Sequence, residues 1–490
     1  MENPRTDRIS IAGETVAAHG INPDSVLAVF DPVFTKRNEV YPTPDGDAYL
    51  SVAGLVASER GGTTITAETP PGYVDHMLEV GVLPSDTRVL QRPITIEHPD
   101  KVGHPASDPL ALMVREGVRL DENGRPYYVS IFESPDVREE AERAGLELLG
   151  RPDSTLTNNK ARLRQFAEEY GIDMLPGRVV ESWEELHKFA DRHKGEKAWM
   201  KVSIGSGGDL VLPVRHLSRE AADEATRRMR QTVSQAFDRA DFSMTVDEFW
   251  PEGDVSPVGF PNVIEEDAGV EGEIEINGSN FFITKKDGSV EYLGTFQQIT
   301  SPDGEFMGSR LYHPEPDVME KILDQTQRFA QFNMNENGYF GIQGMDFFVM
   351  RDGLGNPRVR PIEGNSRPPI SSYPEILMRN LRTEHDGYDS PDGTWDNINL
   401  VSTQMPLDAV TRVPDIIGAG LAFGHRDRHG NVLRQAIPLA VRALVHKNGH
   451  GEEPAVIPSD RMKMFVYGAN EEQKALAFTE LESRGVVYRA

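Results

Sequence analysis

The chain has 490 residues, 38% hydrophobic and 26% charged, a balance that excludes a disordered chain and a length that needs two or three domains. Its 78 acidic and 51 basic residues leave a formal charge of -27, a field that repels nucleic-acid backbones and anionic membranes alike, so neither is expected as a partner. Cysteine is absent, which removes disulfides, thiolate metal sites and a thiol nucleophile together.

From the N-terminus, Met1 to Ser10 is charged and lacks an apolar segment, so no secretion signal is expected. No run is long enough to cross a bilayer, and a cytoplasmic location is the expectation. Residues 1–150 read as an N-terminal α/β domain of short strands and helices interrupted by Pro and Gly. Its clearest parts are strand 25–30, strand 127–132, helix 135–144 and strand 146–150. Residues 158–170 form a helical pattern, with Leu163, Phe166, Ala167 and Tyr170 on one face and Gly171 closing it. A short amphipathic helix follows at 183–193, with strands expected at 198–204, 211–214, 281–284 and 339–350. The Gly- and Asp-rich stretch 384–396 reads as a loop or boundary. Beyond it come a helix at 406–413, a strand-like run at 436–445 and a last helix at 471–485. The division expected is therefore 1–150, 151–385 and 386–490, the last part completing a substrate site.

Four segments carry chemistry. In Met200 to Val211 a Lys inside an apolar strand is followed by a glycine-rich turn and another strand. Lys201 beneath the loop Gly205-Ser206-Gly207-Gly208 suits a phosphate, because side-chain-free backbone exposes its N–H groups. The spacing matches neither the Walker A nor the dinucleotide pattern, and a tight hairpin is the alternative. Upstream, Lys160 opens a helix whose N-terminus favours anions, although an ordinary solvated Lys reads the same way.

The third segment, Asn262 to Glu266, is an apolar strand end meeting acids. Ile264, Glu265 and Glu266 there can offer backbone groups to adenine and a carboxylate to ribose, with Glu273 reaching the nucleotide from the next strand. The fourth is a hairpin: Gly341 to Val349 carries the lone Asp346, and Arg360 to Pro368 returns with Glu363 and Asn365. Side chains alternate on a strand, so Glu363 and Asn365 share a face and meet one cation together with Asp346. Magnesium, which takes a few hard oxygens plus phosphates, is the expected ion; a solvated sheet face is the bland alternative.

The order of these elements resembles the ATP-grasp family over residues 146–369. That resemblance implies an α/β (α+β) ATP-grasp fold with an N-terminal pre-ATP-grasp domain and a C-terminal extension, using ATP and Mg2+. It places phosphate contacts on Lys160 and Lys201, the closing loop on Gly205 to Gly208, the adenine hinge on Ile264 to Glu266, and the metal on Asp346, Glu363 and Asn365. Many relatives carry Glu-Ile-Asn-x-Arg where this chain has Gly364 between Glu363 and Asn365, a change that preserves spacing and loosens the backbone. Arg367 and Arg310 are candidates for the transferred phosphoryl group, since a guanidinium pairs two oxygens at once; for Arg310 a surface role is the alternative. The domain layout is similar to ATP-grasp peptide ligases such as the one that builds the antibiotic pheganomycin. This implies a carboxylate–amine ligase working through an acyl phosphate, with amino-acid-like substrates, a role in secondary metabolism and a homodimer. A kinase on the same fold, a nucleotide-binding regulator and a binding module for cationic peptides are the competing readings.

Overall fold

The computed structural model describes residues 11–21, 28–31, 63–67, 72–92, 94–96, 104–105, 127–130, 147–149, 158–203, 211–239, 262–270, 273–300, 306–367, 369, 372–384, 387–388, 390–402, 422–440, 444–447, 455–456 and 461–488. The N-terminal region holds helix α1 (Ile11–Ala18), strands β1 (Ala28–Asp31) and β2 (Thr63–Ala67), helix α2 (Tyr73–Glu79), and strands β3 (Arg88–Arg92), β4 (Ile94–Ile96), β5 (His104–Pro105), β6 (Tyr127–Ser130) and β7 (Glu147–Leu148). Five of these strands form an all-parallel sheet in the order β3-β2-β1-β6-β7. Parallel neighbours require crossovers, and α2 lies in the one between β2 and β3. The helix expected at 135–144 falls outside the described residues.

Next come α3 (Lys160–Phe166), β8 (Gly177–Val180), α4 (Trp183–Arg192), β9 (Ala198–Lys201), β10 (Val211–Val214), α5 (Arg219–Arg239) and β11 (Asn262–Glu266). The strands make an antiparallel sheet, β10-β9-β11-β8. Leu186 and Phe189 of α4, and Ala222, Ala225 and Met229 of α5, cover its apolar face at Met200 and Ile264. The side chain of Asn159 caps α3 by accepting from Arg162 N at 3.0 Å. The chain turns out of this segment at Gly171, whose φ of 66° only glycine adopts without strain.

The remainder is organised on one large sheet. Its elements are β12 (Ile274–Thr284), β13 (Val290–Thr300), β14 (Phe306–Leu311), α6 (Pro316–Glu336), β15 (Gly341–Arg351), β16 (Pro357–Asn365), α7 (Tyr373–Glu384), β17 (Thr394–Ser402), β18 (Phe423–Arg426), β19 (Val432–Ala440), β20 (Leu444–Lys447), β21 (Ala455–Val456), β22 (Arg461–Gly468), α8 (Glu471–Ser483) and β23 (Val486–Tyr488). The order is β16-β15-β12-β13-β14-β17-β22-β19-β18, with β23 also on β17. Phe281, Ile283, Phe296 and Trp395 bury one face in the core shared with α1, α2 and α7, whereas Phe282 and Phe347 face α6 on the other.

On either side of the polar stretch 384–396, α7 ends at Glu384 and β17 begins at Thr394. β17 pairs with β14 through Ser309↔Asn397 and Arg310↔Asp396, so the C-terminal strands extend the sheet that carries Asp346, Glu363 and Asn365. The run 436–445 is divided between β19 and β20, and β20 pairs in parallel with β4, while the helix expected at 406–413 lies outside the described residues. No described helix is long and apolar enough to cross a membrane.

Gly364 has a packing reason. A Cβ built there would lie 2.2 Å from two ring atoms of Phe329, which is buried at the heart of α6. The glycine lets the helix approach the strand of Glu363 and Asn365. Gly364→Ala is expected to destabilise the protein by about 1–3 kcal/mol, the range for overpacking a full core, as measured by urea unfolding. A midpoint equal to that of the parent would show that Phe329 gives way freely.

Candidate active site

Asp346 on β15 lies directly opposite Glu363 on β16, and Asn365 sits two residues further along the same face. The Asn365 amide donates to Asp346 Oδ2 at 3.4 Å. Asp346 is half-buried as a residue, yet its Oδ1 is enclosed and has no hydrogen-bond partner. Burial, with the neighbouring Glu363 charge second, pushes the Asp346 carboxyl up to about 6, while Ser279, Arg367 and Gln298 pull the other way. Two carboxylates and an amide oxygen crowded on one face, one oxygen without a partner, form a donor set that fits a hard divalent cation. Among the described residues no group of three Asp, Glu or His side chains gathers to hold a metal, here included, so this face offers two carboxylates and an amide.

Helix α3 ties this face to the neighbouring sheet. Lys160 is buried and its Nζ lies 3.0 Å from Glu363 Oε1. Its backbone N–H donates to Ser203 O at 2.9 Å, two residues past Lys201. Asn158 Oδ1 accepts from Ser366 N at 2.8 Å, gripping the strand between Asn365 and Arg367. One turn on, Arg164 Nη2 meets Glu265 Oε1 at 2.6 Å, and the other oxygen of Glu265 takes Lys201 Nζ. Burial alone would raise the Glu265 pKa, but Lys201 and Arg164 outweigh it and hold the carboxyl below its usual range.

The predicted residues therefore separate. Lys160, Asp346, Glu363 and Asn365 meet, and Arg367 is buried near enough to act on the charge of Asp346. Lys201, at the end of β9, is held by Glu265 instead; Gly205, Ser206, Gly207 and Gly208 lie outside the described residues. In the proposed hinge, Ile264 points into the apolar core, Glu265 is engaged by two cations, and Glu266 faces His193 at 3.5 Å. Glu273 is exposed at the start of β12, six residues from Ser279 and so roughly 20 Å from Asp346 along the strand. Arg310 belongs to the opposite face of the sheet, where Asp396 lies 3.5 Å away and also takes Lys474 Nζ at 2.8 Å.

A polar row missed by the sequence reading runs on from the metal face. Ser279 is paired with Asp346, and Gln298, Ser309 and Asn397 continue across β13, β14 and β17 on that same face. Ser309 Oγ and both amide atoms of Asn397 are buried without partners, as is the hydroxyl of Tyr373, which Arg367 influences. A buried polar group without a partner costs about 1–3 kcal/mol. The signal available in the sequence was the one that exposed Asp346: polar residues inside apolar strands, here Gln297-Gln298 and Asp396-Asn397.

No family profile matches the sequence, and no curated protein matches it. Solved structures do. The biotin carboxylase domain dimer of a Hydrogenobacter thermophilus 2-oxoglutarate carboxylase, in complex with MgADP, ADP and bicarbonate, is similar at 14% identity with a TM-score of 0.53, covering 94% of this chain and 90% of that one. A phosphoribosylamine–glycine ligase from Thermotoga maritima is similar at 14% identity and 0.51, covering 95% and 99%. An N5-carboxyaminoimidazole ribonucleotide synthetase in complex with ADP gives 14% and 0.51 over 97% and 98%. The chain has the ATP-grasp fold, mixed α/β with several sheets.

Because the Asp346 pKa is raised in the fold from 3.8 to about 6, its proton favours the folded state and its contribution to stability falls as pH rises between those values. Magnesium competes with that proton. Its affinity is expected to weaken by up to about tenfold per pH unit below 6, followed by calorimetric titration, and Asp346→Asn is expected to abolish binding while raising the metal-free melting temperature at neutral pH. A pH-independent affinity would remove Asp346 from the ligand set. Glu265→Gln strands two buried cations and is expected to cost about 3–5 kcal/mol in urea unfolding, against under about 1 kcal/mol for Glu266→Gln. Equal losses would contradict the buried triad.

Proposed function

We propose that the protein is an ATP-dependent ligase that activates a carboxylate as an acyl phosphate and joins it to an amine. The observation that carries this reading is the face shared by Asp346, Glu363 and Asn365, with Lys160 gripping Glu363 at 3.0 Å. Two acids crowded until one resists ionisation, beside buried Lys and Arg groups, suit a metal-bound polyphosphate. Asp346, Glu363 and Asn365 would hold Mg2+, which neutralises phosphate charge when bound.

The residues of the chain then divide the work. Lys160, which pairs with Glu363, and Lys201, which pairs with Glu265, would each turn to a phosphate oxygen when nucleotide is bound; Glu265 would keep Arg164 as its counter-ion. Arg367 is placed to pair oxygens of the transferred phosphoryl group. An oxygen of the substrate carboxylate attacks the γ-phosphorus and the bond to ADP breaks. The amine nitrogen then attacks the acyl carbon, phosphate leaves, and the amine loses a proton. Positioning and charge neutralisation supply the acceleration, so no nucleophilic side chain is needed.

The row Gln298, Ser309, Asn397 lies on the face of Asp346 and supports an acceptor with several hydrogen-bonding groups, such as an amino acid or small peptide. Among proteins of this fold, the one named phosphoribosylamine–glycine ligase has an amine and an amino acid in its name, which agrees with that class. A biosynthetic role in assembling peptide-like secondary metabolites is the corresponding setting.

The test is ADP and phosphate release with ATP, Mg2+ and pairs of amino acids, with hydroxylamine added separately to trap the acyl phosphate. Hydroxamate formation by one acid, and ADP release accelerated by one amine, are expected. Glu363→Gln is expected to abolish both, whereas Asn397→Leu is expected to raise the amine KM about tenfold and leave hydroxamate formation unchanged. ADP release with transfer to a hydroxyl and no amine requirement would make it a kinase; nucleotide binding without turnover would make it a regulator.

A further inference from the structure

On the face of the large sheet covered by α6, three amides lie in an otherwise apolar layer. Asn333 on α6, Asn337 just past its end and Gln343 on β15 are fully buried, in the layer that also holds Phe329, Phe332 and Met345. Their polar atoms are engaged by one another and by their neighbours. Asn333 Nδ2 donates to Gln343 Oε1 at 2.7 Å and to Ser366 Oγ at 3.1 Å, and Asn333 Oδ1 accepts from Asn337 Nδ2 at 2.8 Å. Gln343 Nε2 continues to Thr284 Oγ1 at 2.7 Å, a side branch that ends in β12.

The remaining bonds close a ring. From Asn333 one arm runs to Ser366, whose backbone N–H donates to Asn158 Oδ1 at 2.8 Å just before α3. The other arm runs through Asn337, whose Oδ1 accepts from Arg162 Nε at 2.7 Å, and Arg162 belongs to the first turn of α3. Between the two ends sits Lys160, with its Nζ 3.0 Å from Glu363, and Ser366 itself stands between Asn365 and Arg367. A Leu or Met would fill this layer without desolvating an amide, so packing alone does not call for the ring; what a satisfied buried network adds is a single geometry.

We propose that Asn333 and Asn337 are positioning residues of the nucleotide site, acting through Lys160. The ring sets the start of α3, and with it the Lys160 ammonium, against the segment Asn365 to Arg367, so that cation, amide and guanidinium meet a triphosphate in one register. The inference rests on the ligase reading of those three residues and extends it to side chains buried behind them.

Calorimetric titration of the full chain with Mg2+ and the β,γ-imido analogue of ATP tests it, run beside urea unfolding. Asn333→Ala and Arg162→Met are each expected to weaken binding about tenfold, the scale of one hydrogen bond to a charged group. The double variant is expected to lose no more than either, because a ring once opened has nothing further to release. In a Lys160→Met background, Asn333→Ala is expected to leave the affinity where it was. Thr284→Val cuts the side branch and spares the ring; it is expected to lower the unfolding midpoint and leave binding unchanged. If Asn333→Ala does not fold, Arg162→Met, at the part-exposed end of the ring, carries the same comparison with Lys160→Met. Parent-like binding by the ring variants would overturn the proposal, as would losses that multiply in the double variant, a further loss on the Lys160→Met background, or an equal loss in Thr284→Val. A parent chain that does not bind the analogue would instead overturn the ligase reading, and this inference with it.

Discussion

Buried charge that must be answered by buried charge is the constraint around which the molecule is arranged. Lys160, Lys201, Arg164 and Glu265 are all withdrawn from water, and an isolated ion so placed costs several kcal/mol. They persist because α3 delivers Lys160 to Glu363 and Arg164 to Glu265, one turn apart on one helix face. The same helix bonds to Ser203 on one side and Ser366 on the other. Two sheets whose described strands do not pair with each other are thereby held together through this helix, with Lys160 and Lys201 answered by Glu363 and Glu265.

What the amino-acid sequence made legible was local. Asp346, Glu363 and Asn365 stood out because carboxylates and amides are rare inside apolar strands, and the period of two put them on one face. Gly171 announced the end of a helical pattern by being the residue that tolerates its φ of 66°. The long-range partners were not legible. Glu265 is engaged by Lys201 because β9 and β11 pair antiparallel with Val263 opposite Lys201, a register that depends on strands some sixty residues apart. Gly364 read as loosened backbone because nothing nearby indicates that Phe329 will lie against it. The row through Ser309 and Asn397 emerges only when β14 and β17 are aligned.

The same pairing changes the meaning of the Gly- and Asp-rich stretch before Thr394. Its composition is that of a separator, and the strand that follows it, β17, pairs with β14 of the sheet that precedes it. Trp395 then packs on Phe296 and Phe465, and its indole donates to Glu375 at 3.4 Å, so α7 and the C-terminal strands enclose one core. A region that looks like an addition at its edge is continuous in its interior with the sheet that carries Asp346 and Glu363.

The small sheet that joins β4 to β20 has a further consequence for how the protein is made. Ile94 and Val445 are neighbours in space and about 350 residues apart in the chain, a separation the ribosome takes tens of seconds to cover. Throughout that interval β5 is the one partner of β4 among the described strands, and the edge that will meet β20 is an open template for a stranger. The last fifth of the polypeptide is therefore needed to finish the first, and a truncated product would display an unpaired edge strand.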